Sequence, residues 1–227
     1  VIVNYVANNL QVFRNVSEVG SLTLSSFAPP ITVSTGFRPY SIVLADLDLD
    51  GRTDLAVVNF LSVSTVSVFR NTSNVGNISF APFQDFGTGS GPLDVAATDM
   101  DGDGKADLVV SNNGNRGGST VSVLRNTSGI GSLAFAPKED FAVASGPDHL
   151  AIADLDGDGK PDVAVGSIAS ATVTFLRNLS SPGLLNFASR TEIATPPGAE
   201  RITLGDLNDD GKPDLVVCSR VAIFRNT

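Results

Sequence analysis

The chain has 227 residues, a formal charge of −9 and no apolar run of about 18 residues, so no membrane-spanning helix is encoded. Its acidity argues against a nucleic-acid partner, because phosphate binding calls for Lys and Arg. One cysteine excludes a disulfide framework; Cys218 follows Val217 in an apolar run and is read as a small buried hydrophobe.

The chain starts at Val1 rather than Met and shows no signal peptide, so it reads as a mature product or an excised segment. From there a pattern of four short apolar segments, A to D, repeats. The first copy lacks A: Val1 to Tyr5, Leu10 to Asn15 and Phe27-Ala28-Pro29 fit B, C and D. Segment A recurs as Tyr40 to Ala45, Leu93 to Thr98, Leu150 to Ala153 and Ile202 to Gly205. Segment B recurs as Leu55 to Asn59, Leu108 to Asn112, Val163 to Ser167 and Leu215 to Ser219. Segment C alternates apolar and polar residues from Thr65 to Arg70, Thr120 to Arg125 and Thr172 to Arg177, and appears again from Arg220 to Arg225. That period of two predicts a strand with one apolar face inward. Segment D is marked by Phe80-Ala81-Pro82, Phe135-Ala136-Pro137 and Phe187-Ala188-Ser189, its proline suited to a sheet edge. No helical periodicity appears.

Between each A and B lies an acidic turn. Asp46, Asp48, Asp50 and Asp54 form the first; Asp99, Asp101, Asp103 and Asp107 the second; Asp154, Asp156, Asp158 and Asp162 the third. Asp206, Asn208, Asp210 and Asp214 form the fourth, with an amide replacing one carboxylate. The turns recur at spacings of 53, 55 and 52 residues. Acidic groups at positions 1, 3, 5 and 9 repel one another unless a cation sits among them. A hard divalent ion with oxygen ligands, Ca²⁺ above all, suits them. Position 6 is glycine, where the chain turns sharply. The carbonyls of Arg52, Lys105, Lys160 and Lys212 at position 7 can supply another oxygen. Position 12 is Val57, Val110, Val165 or Val217, where an EF-hand needs Glu, so these turns join strands instead of helices. Up to four Ca²⁺ ions would add eight positive charges and bring the formal charge to −1. Loops this dense make sense where free Ca²⁺ is millimolar, at the cell surface or outside it, with metal in the stapling role that disulfides often have.

Four strands per repeat of about 53 residues predict an all-β protein, a β-propeller-type array of four-stranded antiparallel blades with partial blades at both chain ends. The expected units are residues 1–38 (B, C, D), 39–90, 91–145, 146–197 and 198–227 (A, B, C). Both partial blades own B and C, so they do not merge into one: either more blades lie outside this segment, or the open edges pair with other copies, as in a filament.

The Asp-x-Asp-x-Asp-Gly-x-x-Asp loops, with Phe86-Gly87 and Gly91-Pro92 ahead of an A segment, resemble the FG-GAP/VCBS repeat family. The pattern is similar to the calcium-binding blades of integrin α-subunit propellers and of many bacterial surface proteins. The resemblance implies that the loop residues are metal ligands and that the protein is an extracellular adhesion, scaffold or lectin module, or an accessory to a secreted enzyme. It implies no catalysis in the repeats themselves. Expected partners are other copies of the chain, or surface proteins and glycans.

Three further sets of residues stand out. Five positions before the loops lie Ser41, Asp94, His149 and Arg201, chemically different in each copy and so a candidate ligand rim at the end of A away from the metal loops. The lone His149 has no visible Ser, Cys or metal partner for catalysis. Arg14, Arg70, Arg125, Arg177 and Arg225 end every C and are expected to pair with backbone or a nearby carboxylate. Asn15, Asn71, Asn77, Asn126 and Asn178 begin Asn-x-Ser sequons, exposed acceptors in a glycosylating host; the four that recur with the repeat are expected to serve its turn. With no Trp and only Tyr5 and Tyr40, the chain looks poor in the stacking aromatics that a sugar site uses.

Overall fold

The computed structural model describes residues 1–60, 64–197, 201–218 and 221–227. Its strands form five antiparallel sheets in chain order. The first holds β1 (Ile2–Asn4), β2 (Asn9–Val12) and β3 (Ile31–Ser34). The second holds β4 (Pro39–Ala45), β5 (Asp54–Asn59), β6 (Thr65–Phe69) and β7 (Gln84–Gly87). The third holds β8 (Pro92–Thr98), β9 (Asp107–Asn112), β10 (Thr120–Leu124) and β11 (Glu139–Ala142). The fourth holds β12 (Pro147–Ala153), β13 (Asp162–Ser167), β14 (Thr172–Leu176) and β15 (Thr191–Ala194). The fifth holds β16 (Arg201–Gly205), β17 (Asp214–Cys218) and β18 (Ala222–Phe224). Each sheet is a meander, and a single short 3₁₀ turn at Gly114–Arg116 interrupts the β structure of the described residues.

The core lies between sheets. Ala56 and Val58 of β5 meet Leu108 and Val110 of β9, while Leu55 and Val57 of β5 meet Leu10 and Val12 of the first sheet. Val109 faces the other way, toward Val163 and Val165 of β13. Alternate residues of one strand thus serve two cores. That is why the B segments read as continuous apolar runs: both faces are covered. The cores join consecutive sheets, and β4, β8, β12 and β16 lie side by side along the row. Among the described residues no strand pairing or core cluster joins the first sheet to the fifth.

Three expectations are corrected, and the C strands prove covered on both faces: Ser67, Ser122 and Thr174 are as buried as their valines. Ser67 accepts from Asn59 Nδ2 at 2.7 Å and donates to Asp85 at 2.5 Å, and Asn112, Ser122 and Asp140 repeat the relay. A neighbouring sheet covers that face, so its hydroxyls must be paired inside the protein. The Phe-Ala markers fall before the D strands, which begin at Ile31, Gln84, Glu139 and Thr191. Phe80, Phe135 and Phe187 instead make single bridges to Asn71, Asn126 and Asn178. Cys218 is exposed: Val217 takes the inward position, and alternation turns the cysteine to the open face of the last sheet. In the last copy C is shorter than expected, spanning Ala222–Phe224, while Ser219 and Arg220 lie outside the described residues.

The placement of the core predicts a sharp contrast between two leucines. Leu108→Ala, at a fully buried inter-sheet position, is expected to cost about 2–5 kcal/mol. Leu22→Ala, at a position 81% exposed, is expected to stay within about 0.5 kcal/mol. Urea denaturation of both variants checks this.

Candidate functional site

All four acidic turns fold alike. The position-6 glycine N–H donates to the position-1 carboxylate: Gly51 to Asp46, Gly104 to Asp99, Gly159 to Asp154 and Gly211 to Asp206, all at 2.8–2.9 Å. Gly104 needs its left-handed φ of +87° for this, a conformation that costs a side-chain-bearing residue about 1–2 kcal/mol. The position-5 N–H reaches the position-3 oxygen, and the position-7 N–H reaches the position-5 carboxylate. The backbone therefore folds inward on its own side chains. Asp46, Asp48 and Asp50 each bring an oxygen within 4.8 Å of the others, as do Asp99, Asp101 and Asp107, and Asp154, Asp156 and Asp162.

The position-9 aspartate ties the loop to the sheet. One oxygen of Asp107 accepts from Met100 N–H at 2.9 Å, the other from Asn126 N–H at 2.7 Å. Asp54, Asp162 and Asp214 make the same pair of bonds. Burial is the largest effect on the Asp107 carboxyl and pushes it up to about 6; the two N–H groups pull it down, and Asp101 and Asp103 push it up again. Burial likewise raises Asp48, Asp54 and Asp162. Asp206, in the open fourth loop, is lowered instead by the Gly211 N–H.

These residues fit a divalent cation. Asp46 Oδ1 and Asp48 Oδ2 are buried without a hydrogen-bond donor, an arrangement that leaves a polar group unsatisfied unless an ion takes it. The only cation near Asp48 Oδ2 among the described residues is Arg70, whose Nε stands 3.7 Å away. Arg125 and Arg177 approach Asp101 and Asp156 in the same way, at 3.9 and 2.6 Å. The strand-end arginines thus pair with the position-3 carboxylate of their own repeat. In the first loop, four carboxylates face Arg52 and Arg70, which leaves two negative charges for one divalent ion to neutralise.

The asparagine after each of these arginines does more than turn the chain. Asn126 Nδ2 donates to Ala106 O of its own loop and to Leu47 O of the preceding one. Asn178 bridges Pro161 O and Met100 O in the same way, and Asn226 reaches Leu155 O. Asn126 and Asn178 are fully buried with both amide hydrogens donated, so the fold has no room for a glycan there. Asn71 Nδ2 is likewise donated, to Thr53 O, while Asn15 and Asn77 are exposed. The signal for the clamp was in the sequence, since an asparagine follows the strand-end arginine in every copy, Asn226 included.

The following turn completes the closure. Gly131 N–H donates to Asp48 O and Gly183 N–H to Asp101 Oδ2, each from a positive-φ corner of the next repeat. Behind them Phe135 packs edge-on against Phe86 and Phe187 against Phe141. Among the described residues no such turn crosses the third and fourth loops, and there Asp156 and Asn208 are exposed.

Ser41, Asp94, His149 and Arg201 also come together, in one polar cavity at the opposite end of the A strands. Asp94 Oδ1 accepts from Ser41 Oγ at 2.7 Å and Oδ2 from Leu150 N–H at 3.0 Å, and His149 Nε2 stands 3.6 Å from that same Oδ2. The aspartate lies between serine and histidine, so the histidine is not placed to take the serine's proton.

A family model described as FG-GAP-like repeat matches residues 49–110, 99–165 and 154–217. No curated protein matches the chain. Among the 44 solved chains that match is a candidate 6-phosphogluconolactonase from Bacteroides fragilis NCTC 9343, at 14% identity and a TM-score of 0.55 over 100% of this chain and 69% of that one. Another is a protein from Lactobacillus plantarum, at 14% identity and a TM-score of 0.50 over 88% of this chain and 60% of that one. At such identity the likeness is one of fold alone.

Two outcomes follow from the loop geometry. Asn126→Ala leaves two buried carbonyls and a buried N–H unpaired and is expected to cost roughly 3 kcal/mol or more in urea denaturation. Calcium titration by calorimetry is expected to resolve two tighter sites, the first and second loops, and two weaker ones. Asp101→Asn should then remove one of the tighter pair.

Proposed function

We propose, from the fact that this chain belongs to the FG-GAP-like repeat family and from the geometry of its loops, that it is a non-catalytic, calcium-stabilised propeller-type repeat protein for extracellular adhesion or scaffolding. The observation that carries the reading is the pair of buried, donorless carboxylate oxygens on Asp46 and Asp48, set among further carboxylates that the backbone holds inward. Oxygen-only donors at this density suit Ca²⁺, which takes six to eight oxygens with relaxed geometry. When bound, the ion neutralises the loop and holds the A–B turn; the side chains named above orient the oxygens and dock the next repeat. Binding free energy is then folding free energy. Surface-exposed calcium loops in extracellular modules fill at millimolar Ca²⁺, and by that analogy the reading favours the cell surface or the extracellular space. In this reading the edges of β1 and β18, which have no partner strand among the described residues, are completed by further blades or by other copies of the chain.

Removing calcium is the test. At ten times Kd each filled site adds about 1.4 kcal/mol. Emptying the two closed sites with excess EGTA is therefore expected to lower Tm by about 6–11 °C. Readdition of Ca²⁺ should restore it. A transition that does not move between EGTA and millimolar Ca²⁺ contradicts the reading.

A further inference from the structure

The cavity at the far end of the A strands has a volume of about 450 Å³, within the usual range for small-ligand sites. It draws side chains from four consecutive repeats. In β4, β8 and β12 the pairing with the next strand slips at the same place, between Pro39 and Ile42, Pro92 and Asp94, and Pro147 and His149. Such bulges re-aim side chains. Here they fall where Ser41, Asp94 and His149 line the cavity, and Arg201 at the start of β16 closes the set.

The chemistry of the lining narrows the ligand. A carboxylate, a hydroxyl, an imidazole and a guanidinium offer donors and acceptors side by side. Carboxylates disfavour an anion, and Arg201 disfavours a cation. Among the described residues no three of the acidic groups and His149 there come within 4.8 Å of one another, as a metal site would ask. A neutral polyhydroxylated ligand answers the mixture, because each hydroxyl both donates and accepts. His149 Nε2, at 3.6 Å from Asp94 Oδ2, is just too far for a direct hydrogen bond, so one hydroxyl can accept from the histidine and donate to the aspartate.

A second, independent observation lies beside the cavity. Tyr40 lines it and is half exposed, and both tyrosines of the chain meet there: the Tyr5 and Tyr40 rings are 6.2 Å apart, with Phe60 5.6 Å from Tyr40. Arg38 stacks over Tyr5. The scarcity of aromatics in the sequence hides this concentration. An aromatic face next to paired polar groups matches a sugar ring, whose C–H face stacks while its vicinal hydroxyls are bound.

We propose that this cavity binds the terminal sugar of a glycan through its vicinal hydroxyls, with Asp94, His149 and Arg201 holding the hydroxyls and Tyr40 stacking on the ring. The site lies at the end of the A strands away from the metal loops, so it stands independently of which ion those loops hold.

The test is a printed glycan array carrying galactose-, mannose-, fucose- and N-acetylglucosamine-terminated glycans, probed with the intact chain in millimolar Ca²⁺. Binding to at least one class is expected, followed by its loss after periodate cleavage of the vicinal diols. In titration with the matching methyl glycoside, Tyr40→Ala and Arg201→Ala are each expected to weaken binding at least tenfold. Both positions are exposed, and an unchanged Tm in each variant shows that the fold is intact. No saturable binding to any glycan, binding that survives periodate, or binding unchanged in both variants overturns the proposal. So does displacement by peptides and not by sugars.

Discussion

Mutual repulsion among carboxylates in a half-dry turn is the constraint on which this architecture rests. Each loop gathers four acidic or amide side chains and turns its own backbone N–H groups onto them. Those N–H groups and the nearby arginine relieve only part of the charge. What remains is a charge that a divalent cation would neutralise, most acute at the buried oxygens of Asp46 and Asp48 that have no donor among the described residues. Burial raises the carboxyls of Asp48, Asp54, Asp107 and Asp162, and an ion in contact with them would reverse that field.

The demand reaches beyond one hairpin because the loop is also the joint between repeats. Asp107 accepts one N–H from its own loop and one from Asn126 at the end of β10, while Asn126 reaches back to Leu47 in the preceding loop. Gly131 and Phe135 then close over the same place. Each sheet has little core of its own, since its strands are buried against the sheets on either side. Holding one turn therefore fixes the angle at which the next sheet docks, and in the proposed reading loss of an ion would loosen a joint as well as a turn.

The acidic loops and the four-segment repeat were legible because both fix residue types at fixed spacing. The D strands were misplaced because Phe80, Phe135 and Phe187 look like strand residues but pack across to the preceding sheet. The buried Ser67 and Ser122 were missed because alternation cannot tell a face covered by a distant sheet from one facing water. The rim residues were legible as equivalent positions only. Their meeting in one cavity depends on three bulges and on the side-by-side run of β4, β8, β12 and β16, neither of which a single repeat reveals. The aromatic cluster escaped for the same reason, since Tyr5, Tyr40 and Phe60 come from separate strands and turns.

The two ends of the A strands thus differ in kind: a recurring cluster of carboxylates that fits an ion at one, and chemically varied side chains gathered in a cavity at the other. The central claim, that the ion locks the joint, is tested most directly by amide hydrogen exchange at Met100 and Asn126, the two N–H groups that Asp107 holds. The account predicts slow exchange of both with Ca²⁺ and a common acceleration of at least tenfold when it is withdrawn, extending to Gly183 of the next repeat. Exchange at all three that is indifferent to Ca²⁺ would contradict it.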